Sequence, residues 1–173
     1  MDVAFVFTRT LHIVLAAIWF GAVFVNVFFL TPSVLEAKAA GGQVMGGLMR
    51  RGYVVFQTAI SGVVALTGFY MYWKYTTLGF DPAASGAMLA RVIGVGVITG
   101  FVAAVVGPMF VGRSMKRVAA IMAQVGPMAD GAEKSALLQE SAGLQAKGIL
   151  WSKIVLVLLT ISLVTMSIGH YVG

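Results

Sequence analysis

Four apolar stretches, each about as long as a bilayer is thick, decide what this chain can become. They cover residues 11–30, 53–73, 88–111 and 149–171, and about 20 predominantly apolar residues suffice to cross the hydrocarbon core. Inside that core every backbone N–H and C=O has to be satisfied within the protein, so such stretches fold as helices. Charged residues make up 10% of the chain, against roughly a quarter in a soluble domain. The expected fold is therefore all-α: an integral membrane four-helix bundle with up-down connectivity, its helices at about 4–30, 53–75, 82–124 and 149–171. No polar domain lies outside these stretches, so residues 1–173 are read as one transmembrane domain. The first stretch is too long for the apolar region of a signal peptide and runs into Thr31-Pro32, not a small-residue cleavage site, which marks it as a retained helix. The chain has no cysteine. Disulfides, iron–sulfur clusters, thiolate copper sites and covalently attached c-type haem are thereby excluded.

The net charge of +6 follows membrane topology and does not point to nucleic acid. The connection at 31–52 carries Lys38, Arg50 and Arg51, and the connection at 113–153 carries Arg113, Lys116, Arg117, Lys134, Lys147 and Lys153. Arg9, Lys74 and Arg91 are left for the opposite side. By the positive-inside rule the nine-to-three split puts both longer connections in the cytoplasm and both termini outside. The expected location is a bacterial-type inner membrane, crossed several times.

Local signals fill in the connections. Thr31-Pro32 and Asp81-Pro82 each read as an N-cap followed by proline at the first helical position. Pro108, inside the third apolar stretch, removes a backbone donor and predicts a kink. Beyond it Val118, Ile121, Met122 and Val125 recur at helical spacing, an amphipathic extension that Gly126-Pro127 ends. Asp130 and Glu133 resemble a capping box opening a polar helix to about Lys147. This cytoplasmic extension between the third and fourth helices reads as a packed helical hairpin; the alternative is a docking surface for a partner or anionic lipid. Gly41, Gly42, Gly46 and Gly47 predict a flexible link.

The chain has two histidines, His12 in the first span and His170 in the last. An even number of crossings returns the chain to its starting side, so both fall in the outer leaflet. From Thr31 to His12 is 19 residues, roughly 28 Å of helical rise, and from Lys153 to His170 is 17 residues, roughly 25 Å. Their heights thus agree within about one turn. An ionisable side chain at membrane depth is by default a sign of function, and imidazole is a good ligand for haem iron and for copper. His12, Trp19 and Asn26 recur every seven residues, a stripe expected to face the bundle because Asn26 is costly against lipid. Met166 precedes His170 by one turn, Arg9 lies one turn from His12, and Arg91 opens the third helix on the same side. Arginine pairs with carboxylates through two parallel hydrogen bonds, as haem propionates require. The plainer alternatives are that His12 is a hydrogen-bonded packing residue and His170 an interfacial one. Gly96 and Gly100 form a GxxxG pair, which helix packing explains without a cofactor.

The segment Leu11-His12-Ile13-Val14-Leu15-Ala16-Ala17-Ile18-Trp19-Phe20-Gly21 resembles the first helix of the copper-resistance D (CopD)-like membrane proteins and of the related HemJ-like proteins. The stretch Thr67-Gly68-Phe69-Tyr70, and a basic residue opening the third helix, also look like this group. The resemblance covers roughly the first 115 residues. It implies haem and protoporphyrinogen oxidation on the HemJ-like side, copper uptake or resistance on the CopD-like side, and His12 as the ligand. Arg91 stands where the HemJ-like pattern has a lysine, and methionine-rich copper motifs are missing.

The expectation is a bundle holding a non-covalent haem b in its outer half, for electron transfer or haem-dependent redox chemistry with a membrane or periplasmic redox partner. His12 and His170 are the expected axial ligands, with Met166 as the alternative ligand. Arg9 and Arg91 are the expected propionate partners. A second reading is copper handling through His12, Met166 and His170. A third is a non-catalytic subunit of a larger membrane complex.

Overall fold

A computed structural model describes residues 2–77, 87–168 and 171. Among these, every long element is helical. Helix α1 (Val3–Val25) runs through a π-turn (Asn26–Leu30) into α2 (Thr31–Glu36). Then come α3 (Lys38–Arg50), α4 (Tyr53–Thr77) and α5 (Ala87–Val106). A second π-turn (Gly107–Gly112) joins α5 to α6 (Arg113–Val125), and α7 (Ala132–Ile168) closes the chain. Four continuous helical runs are long and apolar enough to cross a membrane: Val3–Glu36, Tyr53–Lys74, Arg91–Val125 and Ala132–Ile168. The protein is accordingly a multi-pass membrane protein.

Successive spans run antiparallel. Lys74 Nζ meets Asp2 Oδ2 at 2.6 Å, joining the end of α4 to the start of α1. The Tyr72 hydroxyl lies 3.4 Å from where a Cβ on Gly94 would stand, joining the end of α4 to the start of α5. Ser162 Oγ, late in α7, donates to the Gly96 carbonyl, early in α5, at 2.8 Å. Since α7 also packs on α1, the spans close into an up-down bundle. Trp19, Val23, Ile60, Val64, Ala103, Val155, Leu156 and Leu159 fill its centre. Much of the remaining apolar surface points outward, with Leu66 73% and Val157 58% exposed. That pattern suits a chain whose outer solvent is lipid.

Gly96 and Gly100 do form a packing seam. A Cβ on Gly96 would come within 2.7 Å of Thr165 Oγ1 and 3.0 Å of Met166 Cγ, and one on Gly100 within 3.0 Å of Ser162 Oγ. Two hydrogens in place of two methyl groups let α5 and α7 approach closely, as small-residue motifs do in membranes.

Several boundaries differ from expectation. The first helix does not end at residue 30. Thr31 keeps helical dihedrals (φ −62°, ψ −48°) and, instead of capping, its hydroxyl bonds Asn26 Oδ1 at 3.3 Å. Pro32 is accommodated because the π-turn just before it widens the helix where the proline ring would otherwise press on a carbonyl. Pro108 lies inside the second π-turn, so the expected break takes the same form. The glycines at 41, 42, 46 and 47 belong to helix α3, not to a flexible link. Gly41 is required there because a Cβ would collide with the Val34 carbonyl. The chain turns from α3 to α4 at Gly52, whose φ of 77° is a left-handed conformation favouring glycine.

The fourth helix begins at Ala132, not near 149, and runs unbroken through Lys147. Its polar first half is rich in good helix formers and needs no stop. Asp130 pairs with Lys134 Nζ at 2.8 Å, which holds its carboxyl below the ordinary carboxylate value. The amphipathic extension packs as a hairpin: Ile121 and Val125 of α6 are buried, Ser141 of α7 is buried, and Arg117 Nε meets Glu140 Oε1 at 3.0 Å. The expected start at Asp81-Pro82 lies outside the described residues.

Candidate functional site

The stripe on α1 faces the bundle interior. His12 and Asn26 are each 8% exposed and Trp19 4%, although most neighbours on the helix are open to the surroundings. Burial of an imidazole at membrane depth requires a polar partner, and α4 supplies it. His12 Nδ1 lies 3.0 Å from Thr67 Oγ1. The Thr67 hydroxyl has one proton, and its own helix accepts it: Oγ1 is 2.7 Å from the Val63 carbonyl and 3.1 Å from the Val64 carbonyl. Thr67 is therefore the acceptor in the pair, and His12 carries its proton on Nδ1. The Val64 carbonyl also takes a hydrogen bond from the ring.

Gly68 makes room for this ring. A Cβ there would lie 2.9 Å from His12 Cε1, so any larger residue would push the imidazole away from Thr67. The two stretches that carry the family resemblance thus meet here, His12 from one and Thr67-Gly68 from the other.

Beside the ring lies a cavity of about 290 Å³, near the lower end of the ~300–1,000 Å³ usual for small-molecule sites. All four spans line it: His12 and Trp19 from α1, Gly68 from α4, Phe101 from α5, and Ser162 and Met166 from α7. Apart from His12 and Ser162 its lining offers little but hydrocarbon, aromatic faces and the Met166 thioether. Phe69, Ile98 and Phe101 line it and are also more than half exposed on the outer surface. On that side the wall is one side chain thick.

Of the expected site residues, the structure brings His12 and Met166 to one cavity. Arg9 and Arg91 are exposed, and neither lines it. His170 lies outside the described residues. Among the described residues no three His, Asp or Glu side chains converge into a metal-binding group. Thr67 and Ser162 could not be found from helical spacing alone. Each acts across 55 or more positions of sequence, and threonine and serine are common in membrane helices.

A second, smaller cavity of about 60 Å³ lies on the other side of Trp19, toward the α3 end of the bundle. Asn26, Tyr53, Gln57, Ser61 and Ser152 line it together with residues of the Gly107–Gly112 π-turn. Trp19 is common to both cavities.

Comparison with protein families, curated proteins and solved structures finds no match. The resemblance to CopD-like and HemJ-like proteins therefore rests on the quoted residues alone.

Proposed function

We propose that the cavity beside His12 is the site of a b-type haem, and that the protein serves membrane electron transfer or haem-dependent redox chemistry. The observation that carries this reading is the setting of His12: its Nδ1 is held by Thr67, and the ring lines an apolar cavity. An outer partner that fixes tautomer and ring direction is the usual support of an iron- or copper-binding histidine.

The residues present fit such a group by their chemistry. His12 would hold the iron through a neutral imidazole, and the aromatic and aliphatic walls would limit water, one of the levers on the potential of a bound haem. The cavity, about 290 Å³, is smaller than a whole haem, so a bound haem would extend beyond these walls. Met166, which lines the same cavity, or His170 would be the further ligand. Arg9 on α1 and Arg91 on α5, both exposed, are the proposed propionate partners. The bound haem supplies a one-electron couple; the chain orients its ligand and keeps water away. By the positive-inside count, the α3 and α6 end faces the cytoplasm and His12 belongs to the outer leaflet of a bacterial-type inner membrane.

Met166 favours a second reading. A thioether and an imidazole lining one cavity suit Cu(I). Purification in mild detergent, followed by an absorption spectrum and metal analysis, separates the two. A Soret band supports haem. Stoichiometric copper without a Soret band supports the second reading, and a colourless, metal-free protein contradicts both.

A further inference from the structure

The small cavity below Trp19 differs in kind from the one above it. Its named groups are neutral and polar, and they lie within three of the four spans. Several have hydrogen-bonding capacity left over. Gln57 Nε2 donates to the Tyr53 hydroxyl at 3.2 Å, but Gln57 Oε1 is buried with no partner. The Tyr53 O–H proton has no acceptor among the described residues, since the Gln57 contact uses only the oxygen's lone pair. Asn26 Oδ1 accepts from Thr31, while its NH₂ group makes no hydrogen bond among the described residues. Ser61 and Ser152 donate to the Thr58 and Gly148 carbonyls, and their oxygens can still accept.

One amide rotation cannot satisfy this set. Turning Gln57 about would let Oε1 accept from Tyr53 but would leave its NH₂ without an acceptor. A buried amide left so is costly. Water satisfies both orientations, since it donates and accepts, and about 60 Å³ is several times the ~10–15 Å³ that one water needs. A cation fits less well. The cavity has no carboxylate, and Arg50, Arg51 and Arg113 adjoin its end of the bundle. The Gly107–Gly112 π-turn forms part of its wall, and the Asn26–Leu30 π-turn begins at one of its lining residues. Irregular helix at membrane depth is tolerated where it lines such a space.

We infer that this chamber is a hydrated inlet, reaching from the Tyr53 end of the bundle to Trp19, which closes it against the His12 cavity. The site takes ordered water, and it brings solvent to the middle of the membrane. The inference does not depend on what binds at His12. It gives Trp19 a role that packing alone would not: the two cavities share that one indole as a wall.

The chain's lack of cysteine makes the test direct. Ser61→Cys and Ser152→Cys each place one thiol at the chamber from a different helix, and Ala103→Cys places one in the fully buried core away from it. The full-length protein in lipid vesicles is exposed to Ag⁺, and thiols still free are counted by alkylation after denaturation. Both chamber thiols are expected to be blocked at least an order of magnitude faster than the core thiol. If one serine variant fails to fold, the other carries the test. Blocking as slow as that of Ala103→Cys would show a dry chamber and overturn the inference. For the closure, proton leak through the vesicles is compared between the parent and a folded Trp19→Ala protein. A higher leak is expected; an unchanged leak would remove Trp19 as the barrier.

Discussion

The hydroxyl of Thr67 holds the imidazole of His12 across the α1–α4 interface at 3.0 Å, and because that hydroxyl donates to its own helix, it accepts from Nδ1–H. The pair predicts an ordered set of substitutions. Thr67→Val keeps the shape but removes one acceptor of the His12 ring and leaves the Val64 carbonyl, a loss of about 0.5–1.5 kcal/mol. Thr67→Ser retains the acceptor and should stay close to the parent. Detergent unfolding followed by circular dichroism gives the stability order, and haem retention is expected to fall in the same order.

The α5–α7 seam responds to size more than to the loss of its hydrogen bond. Gly96→Ala puts a methyl group 2.7 Å from Thr165 Oγ1 and 3.0 Å from Met166 Cγ. Such overpacking costs about 1–3 kcal/mol. Ser162→Ala removes the bond to the Gly96 carbonyl, and polar bonds between membrane helices average about 0.6 kcal/mol. Unfolding titrations of the two variants should therefore rank Gly96→Ala as the more damaging.

At the chain start, Asp2 caps α1 through the amides of Ala4 and Phe5 and pairs with Lys74. The Lys74 hydrogen bond first, then the Phe5 amide, hold its carboxyl below the ordinary 3.8. A lowered folded value means that the carboxylate's contribution is fully present above about pH 3.8 and is lost as pH falls through that lower value. The thermal midpoints of the parent and Asp2→Asn should differ by a constant amount from neutral pH to pH ~5 and converge in stronger acid. A difference that grows on acidification would contradict the assignment.

Topology can be checked separately. The positive-inside count proposes both termini outside; on that proposal a reporter active only in the cytoplasm and fused after Gly173 should be silent. A strong signal would invert the bundle and move His12 to the inner leaflet.

The four spans were legible because each is an apolar run of bilayer length, and the seven-residue recurrence of His12, Trp19 and Asn26 marked the inward face of α1. The ends were harder. Thr31-Pro32 carries the chemistry of a helix start, yet a π-turn absorbs the proline and the helix runs on to Glu36. Polarity after Asp130 suggested a separate helix, but polarity changes the surroundings of a helix and not its backbone, so α7 runs straight through. The site was half legible. A lone histidine in an apolar run draws notice by its cost, whereas its partner is a threonine 55 positions away that only the pairing of α1 with α4 selects.

The most direct test of the central claim is the absorption spectrum of the purified protein beside that of His12→Ala. His12 lies within a long helix packed on both sides, so it should be the anchoring ligand. The parent is predicted to show the Soret band of a low-spin, six-coordinate haem, and His12→Ala to lose the haem or nearly all of it while remaining helical. A parent without a Soret band, or a His12→Ala protein that keeps the parent's spectrum, would contradict the assignment of His12 as the haem ligand.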